Sequence, residues 1–185
     1  MNTDELRARL CATVPRQELP LAGNRAAAVL VALEPGRGVW LTRRSTRMMN
    51  HAGQVAFPGG KLDPEDASVE AAALREAWEE IGLDPHGVEI LGRLDEQVTV
   101  TGFHMTPVAA LVPPGVRVSI ASDEVVEVFS LPFADLLDPA LPHRRIASAE
   151  GHERQFYVWP HERHVIWGAT AEILRQLAAR LRGAA

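Results

Sequence analysis

The stretch that most constrains this chain runs from about Ala67 to Gly82 and contains the segment REAWEEIG. Ala71, Leu74, Ala77, Trp78 and Ile81 fall on one side of a helix turning about 100° per residue. The spacing predicts a helix that must bury this side against another layer, with Gly82 closing it in a left-handed cap. Glu76, Glu79 and Glu80 gather on the other side, where Ala72 and Ala73 leave room. Acids three and four residues apart on a helix surface repel by about 0.2–0.5 kcal/mol per pair, and the last turns of a helix disfavour negative charge. A solvated acidic face is the plain reading. No lysine on the helix offsets the acids, and a divalent cation would turn their repulsion into chelation. Oxygen-only ligands suit Mg²⁺ or Mn²⁺.

The layer beneath the helix is legible on either side of it. AAAVLVAL (Ala26 to Leu33) and GVWLTRR (Gly38 to Arg44) flank the turn signal EPGR and predict a hairpin. Further strands are expected at QVAF (Gln54 to Phe57), EILGRL (Glu89 to Leu94), TPVAALV (Thr106 to Val112), EVVEVFS (Glu124 to Ser130) and RQFYVW (Arg154 to Trp159). The chain opens with a charged helix at about residues 3–12. It closes with an amphipathic one in which Ile173, Leu174, Leu177 and Leu181 stand at core spacing and Gly183 is the stop. An α+β fold follows, a mixed sheet covered by two or three helices. With 185 residues the chain fits one domain, its core at about 26–182.

Charge and cysteine content narrow the chemistry. A formal charge of -5 disfavours nucleic-acid and anionic-membrane binding, which need clustered positive charge. No apolar run approaches the ~18 residues of a membrane span, and the N-terminus lacks a signal-peptide core, so a cytoplasmic enzyme is expected. Cys11 is the only cysteine, which excludes an internal disulfide and a cysteine-based zinc site. Any metal would be held by oxygen or imidazole.

The glycine pair in FPGG (Phe57 to Gly60) sharpens the reading, because it lets the backbone approach a ligand or metal where a Cβ would intrude. Followed about fifteen residues later by REAWEEIG, it makes the chain resemble the Nudix hydrolases, whose box reads G-x5-E-x7-R-E-U-x-E-E-x-G-U with U a bulky apolar residue. Arg75, Glu76, Glu79, Glu80, Gly82 and Leu83 match. The first half departs: Ala67 occupies the place of the isolated glutamate, Gly60 comes one residue early, and Ala77 replaces a larger apolar residue. Asp66 either substitutes for that glutamate or caps the helix, and capping is the favoured reading. LTRRSTRMMNHAGQVAFPGG (Leu41 to Gly60) is similar to L-L-T-x-R-S/A-x3-R-x3-G-x3-F-P-G-G of the coenzyme A pyrophosphatase branch. Met49 stands where that motif has arginine, with Arg47 two residues away.

The resemblance implies an α/β/α sandwich with an acidic catalytic helix. It also implies metal-dependent hydrolysis of coenzyme A and its acyl or oxidised derivatives to 3′,5′-ADP and 4′-phosphopantetheine. Glu76, Glu79 and Glu80 would hold Mg²⁺ or Mn²⁺, with the Gly60 carbonyl as a further ligand, and Arg75 would orient the glutamates. The base is a carboxylate of the triplet or Glu124. Arg44, Ser45, Arg47, Gly53, Phe57, Gly59 and Gly60 are the expected substrate-binding residues. Strand alternation sends Arg43 and Arg44 to opposite faces, and Arg44 is assigned to the ligand. His51, His104 and the four tryptophans read as packed or surface residues. Two other readings stay open: a Nudix hydrolase for another dinucleotide such as NADH or ADP-ribose, and a non-catalytic nucleotide-binding module. The expected partner is a small nucleotide, with neither nucleic acid nor membrane; a homodimer is among the open oligomeric states.

Overall fold

The computed structural model describes residues 1–11, 23, 25–48, 51–99, 101–149 and 152–183. Strand β1, Arg25–Glu34, is apolar on both faces because it lies at the centre of the sheet. It pairs in parallel with β7, Phe103–Leu111, from Arg25↔Phe103 to Leu33↔Leu111. The expected hairpin with β2, Gly38–Arg44, is present but pairs at only Leu33↔Val39 and Glu34↔Gly38. Beyond that β2 pairs with β3, Val55–Ala56, and with β8, Val125–Pro132. Strand β4, Gly59–Lys61, takes the edge of β1 that β2 leaves free. Strands β5, Glu89–Arg93, and β6, Gln97–Val98, pair with β7. A second antiparallel sheet runs β11–β10–β9, built from Val165–Trp167, His152–Pro160 and His143–Ala149.

Alternation along β1 divides the interior into two cores. Ala28, Leu30 and Ala32 pack with Ala73, Ala77 and Ile81 of helix α2, Val69–Ile81. Val29, Val31 and Leu33 pack with Leu6 and Leu10 of α1, Thr3–Leu10, and with Ile173, Leu174, Leu177 and Leu181 of α4, Gly168–Arg182. The sheet therefore lies between helices, the α+β sandwich expected. A one-turn helix α3, Phe133–Leu136, follows β8. Among the described residues no helix is long and apolar enough to cross a membrane.

Several expectations need correction. Helix α2 begins at Val69, and its cap is Ser68, whose hydroxyl accepts from the Ala71 amide at 3.1 Å; Asp66 is not the cap. Its rotation also differs from the one read off its apolar residues. Ala72, Ala73 and Ala77 are buried, whereas Trp78 is 53% exposed and Glu80 only 4% exposed. Small residues let α2 lie close against β1, and Trp78 is too large for that contact. Glu80, on the stripe of Ala73 and Ala77, is carried inward. Strands β4, β6, β9 and β11 had no strong signal: three are short, and β9 reads HRRIASA, without alternating apolar residues. The left-handed caps at Gly82 and Gly183 are as expected.

Candidate active site

Glu76, Glu79 and Glu80 of α2 lie on the side of the loop between β3 and α2, and each carboxylate has a distinct environment. Glu80 is buried beside β4, accepting from the Gly59 amide at 3.2 Å, with Arg44 Nη1 at 3.7 Å. Burial pushes its carboxyl up to about 7, against the opposing pull of Arg44 and the Gly59 amide. Glu76 is half-buried, and burial raises its carboxyl too, opposed by Arg75. Glu79 is exposed and accepts from Arg75 Nη1 at 3.2 Å.

Arg75 is the organiser of the loop. Its Nε and Nη2 each donate to Asp66 at 3.0 Å, Nη1 donates to Glu76 at 3.0 Å, and Nη2 also reaches the Lys61 carbonyl at 3.2 Å. Asp66 is thus the anchor of Arg75, which holds its carboxyl below the usual range. The aspartate just before α2 ties the loop to the middle of the helix.

A Cβ at Gly60 would collide with the Glu76 carboxylate as it lies, so glycine lets the β4 backbone approach that acid without turning it aside. Gly59 is held equally close, since a Cβ there would strike β1 at Ala28 and Val29. Among the described residues no three His, Cys, Asp or Glu side chains converge as placed. Glu76 and Glu79 turn to Arg75, and Glu80 turns to Gly59 and Arg44. The donor set is nonetheless all oxygen, spans adjacent turns of one helix and contains a buried carboxylate of raised pKa. These features fit a hard divalent cation.

The loop before β8 completes this side. Ser119 and Ala121 donate backbone N–H groups to the Ile81 and Glu80 carbonyls, both at 3.0 Å, satisfying acceptors that a helix end leaves open. This strap delivers Glu124, whose carbonyl accepts from the Ser45 amide at 2.7 Å and whose carboxylate accepts from Arg44 Nη2 at 3.3 Å. Arg44 thus bridges Glu80 and Glu124, and its buried Nε has no hydrogen-bond partner among the described residues.

The other expected binding residues are placed less directly. Ser45 is buried and its hydroxyl accepts from the Arg47 amide at 3.3 Å, so it shapes the turn, while Arg47 itself is exposed. Gly53 takes φ 71° in the next turn. Phe57 is a core residue beneath the site. Met49 lies outside the described residues. His51 is exposed beside Gln54, and His104 pairs with Glu96. Trp40 and Trp159 are buried, whereas Trp78 and Trp167 are exposed.

Arg43 points to the opposite face of β2, into a group the sequence reading did not find. Glu127 lies there 3.2 Å from Arg43 Nε, 2.8 Å from Arg163 Nη2 and 3.1 Å from His164 Nε2. The one available signal was the three-residue step from Glu124 to Glu127, which places a second acid beside β2. Arg163 and His164 had none.

A model of the NUDIX domain matches residues 23–158. The chain is 38% identical over 183 residues to a Klebsiella pneumoniae (strain 342) protein named as an uncharacterized Nudix hydrolase, NudL, with 98% of this chain and 95% of that one covered. A NudL of Salmonella paratyphi B is 40% identical over 169 residues, covering 90% and 88% of the two chains. Among solved structures, a MutT NUDIX hydrolase from Burkholderia pseudomallei superposes with TM-score 0.51 at 21% identity, over 86% of this chain and 99% of that one. A C. elegans Ap4A hydrolase gives TM-score 0.51 at 21% identity, over 62% and 85%. At such identities the structural likeness is one of fold.

Proposed function

Because the chain belongs to the Nudix family of hydrolases acting on diphosphate-type substrates, we propose that it cleaves the diphosphate of coenzyme A and its acyl or oxidised derivatives. The products are 3′,5′-ADP and 4′-phosphopantetheine. The observation that carries the chemistry is the approach of Gly60 to Glu76, with Glu80 buried alongside. The support for coenzyme A is the similarity of Leu41 to Gly60 to that branch of the family.

Glu76, Glu79 and Glu80, with the Gly60 carbonyl, would hold Mg²⁺ or Mn²⁺, which when bound supplies charge neutralisation and an activated water. Arg75 keeps Glu76 and Glu79 from turning into solvent, and Asp66 keeps Arg75 in place. Arg44, its side chain one-fifth exposed between Glu80 and Glu124, would meet a phosphate oxygen of the diphosphate, for which a guanidinium fork is suited. Glu124, more than half exposed and steadied by Arg44, would accept the proton of the attacking water. Water adds across the bridge: its oxygen joins one phosphorus, and the other phosphate leaves with the bridging oxygen.

Mass-resolved product analysis with coenzyme A, NADH and ADP-ribose, with and without Mg²⁺ or Mn²⁺, tests the proposal. It requires 3′,5′-ADP and phosphopantetheine only when metal is present. Met49, in place of the motif arginine, favours the second reading, another dinucleotide; cleavage of NADH or ADP-ribose alone would establish that one.

A further inference from the structure

The cleft on the far face of β2 takes no part in the chemistry above. It measures about 510 Å³ and its lining includes Arg43, Gly53, Gln54, Arg163, His164 and Trp167. Arg43 and Arg163 share one carboxylate, Glu127, so the group carries positive charge whatever the state of His164. The His164 side chain is nine-tenths buried, its ring 4.7 Å from that of Phe129 and stacked at 8° on His161. This wall is therefore preorganised. Trp167 stands at the rim, half exposed, its ring braced edge-on by Phe156. Guanidinium forks match phosphate oxygens, and an exposed indole offers a stacking face to a flat heterocycle.

Position connects the cleft to the acidic helix. Arg43 and Arg44 are consecutive, with Cα atoms ~3.8 Å apart, yet Arg43 reaches Glu127 and Arg44 reaches Glu80 and Glu124. The segment that lines the cleft at Gly53, Gln54 and Val55 continues to Gly59 and Gly60 beside Glu80 and Glu76. Gly53 carries no side chain and Ala52 only a methyl group, which keeps the wall low.

We propose that this cleft holds the nucleoside end of the substrate, with Arg43 and Arg163 gripping a phosphomonoester on its ribose and Trp167 stacking on its base. The diphosphate then crosses the end of β2 to the acidic side. The assignment rests on the coenzyme A reading, in which the adenosine carries a 3′-phosphate.

The test titrates 3′,5′-ADP and 5′-AMP into the full chain and follows tryptophan fluorescence, with Trp167→Phe to assign the signal. Arg163→Ala is the main variant, because Arg163 is 64% exposed and Arg43 and His164 remain beside Glu127 when it is lost. The wild type should prefer 3′,5′-ADP by about tenfold, and Arg163→Ala should lose that preference. In turnover, the ratio of kcat/KM for coenzyme A over dephospho-coenzyme A should fall by about tenfold in the same variant. An equal preference in both proteins, no preference in the wild type, or quenching undiminished in Trp167→Phe would overturn the assignment. Should the wild type show the binding preference yet cleave neither coenzyme A form, the substrate reading falls and the cleft assignment stands.

Discussion

The two faces of β2 use the same pair of residue types and reach different ends. Arg44 meets Glu124 on one face, and Arg43 meets Glu127 on the other, both glutamates coming from β8 or the residue before it. A register shift at Arg43/Arg44 sets Val125 opposite Arg44 and Glu127 opposite Arg43, so β8 has one extra residue there. On the acidic side the arginine bridges two carboxylates, an arrangement open to an anion at the guanidinium and a cation at the acids. On the far side the glutamate is outnumbered, an arrangement open to an anion alone. Whichever charge is in excess decides what each face can bind.

Breaking the acidic face should have the largest effect. Glu80→Gln is expected to lower kcat by at least about 10²-fold, since a Lewis acid contributes several kcal/mol to the barrier. The amide keeps an acceptor for Gly59 and removes a buried charge, so the thermal midpoint should hold or rise. Unchanged turnover at saturating Mg²⁺ would remove Glu80 from the metal site. Gly60→Ala comes next: its methyl displaces the Glu76 carboxylate, and activity should fall by about tenfold or more while circular dichroism stays native.

The paired arginines sharpen the contrast. Arg44→Ala should act mainly on affinity, raising KM by about tenfold; a wild-type KM would refute its contact with the diphosphate. Arg43→Ala leaves Glu127, a mostly buried acid, with fewer partners. A stability loss of about 1 kcal/mol is expected, read as a thermal midpoint lower by roughly 2–4 °C.

The smallest effect belongs to an ion pair on neither face. Arg93 donates to Glu70 at 2.7 and 3.1 Å and holds its carboxyl down to about 2. A depressed folded pKa means the contribution is complete above the ordinary value near 4.5 and disappears as pH falls toward 2. Glu70→Gln should therefore be less stable than wild type at pH 6, by on the order of 1 kcal/mol after solvent screening, and equal to it near pH 2. Urea midpoints at both pH values check this, and a difference independent of pH would assign the effect to packing.

Much of the molecule was legible before its structure. The glycine stops at Gly82 and Gly183 appear where the apolar period ends, because few other residues tolerate left-handed backbone. The principal strands were found to within a few residues, since buried strands are apolar runs bounded by turn residues. The acid triplet was visible because helical spacing makes its repulsion conspicuous. Arg75 was recognisable as a partner of the acids, but its strongest tie, to Asp66, was not.

What the sequence determined by itself was local: which segments are helix or strand, where they stop, and which acids share a helix. Which acid turns inward was decided by tertiary packing, because spacing gives angles within α2 but not its rotation on the sheet. The alanines set that rotation and buried Glu80. The meeting of Arg43 with Glu127, 84 residues later, and of both with Arg163 and His164 likewise required the register of β2 on β8. No local pattern encodes that convergence, since each of these residues taken alone is an ordinary surface charge.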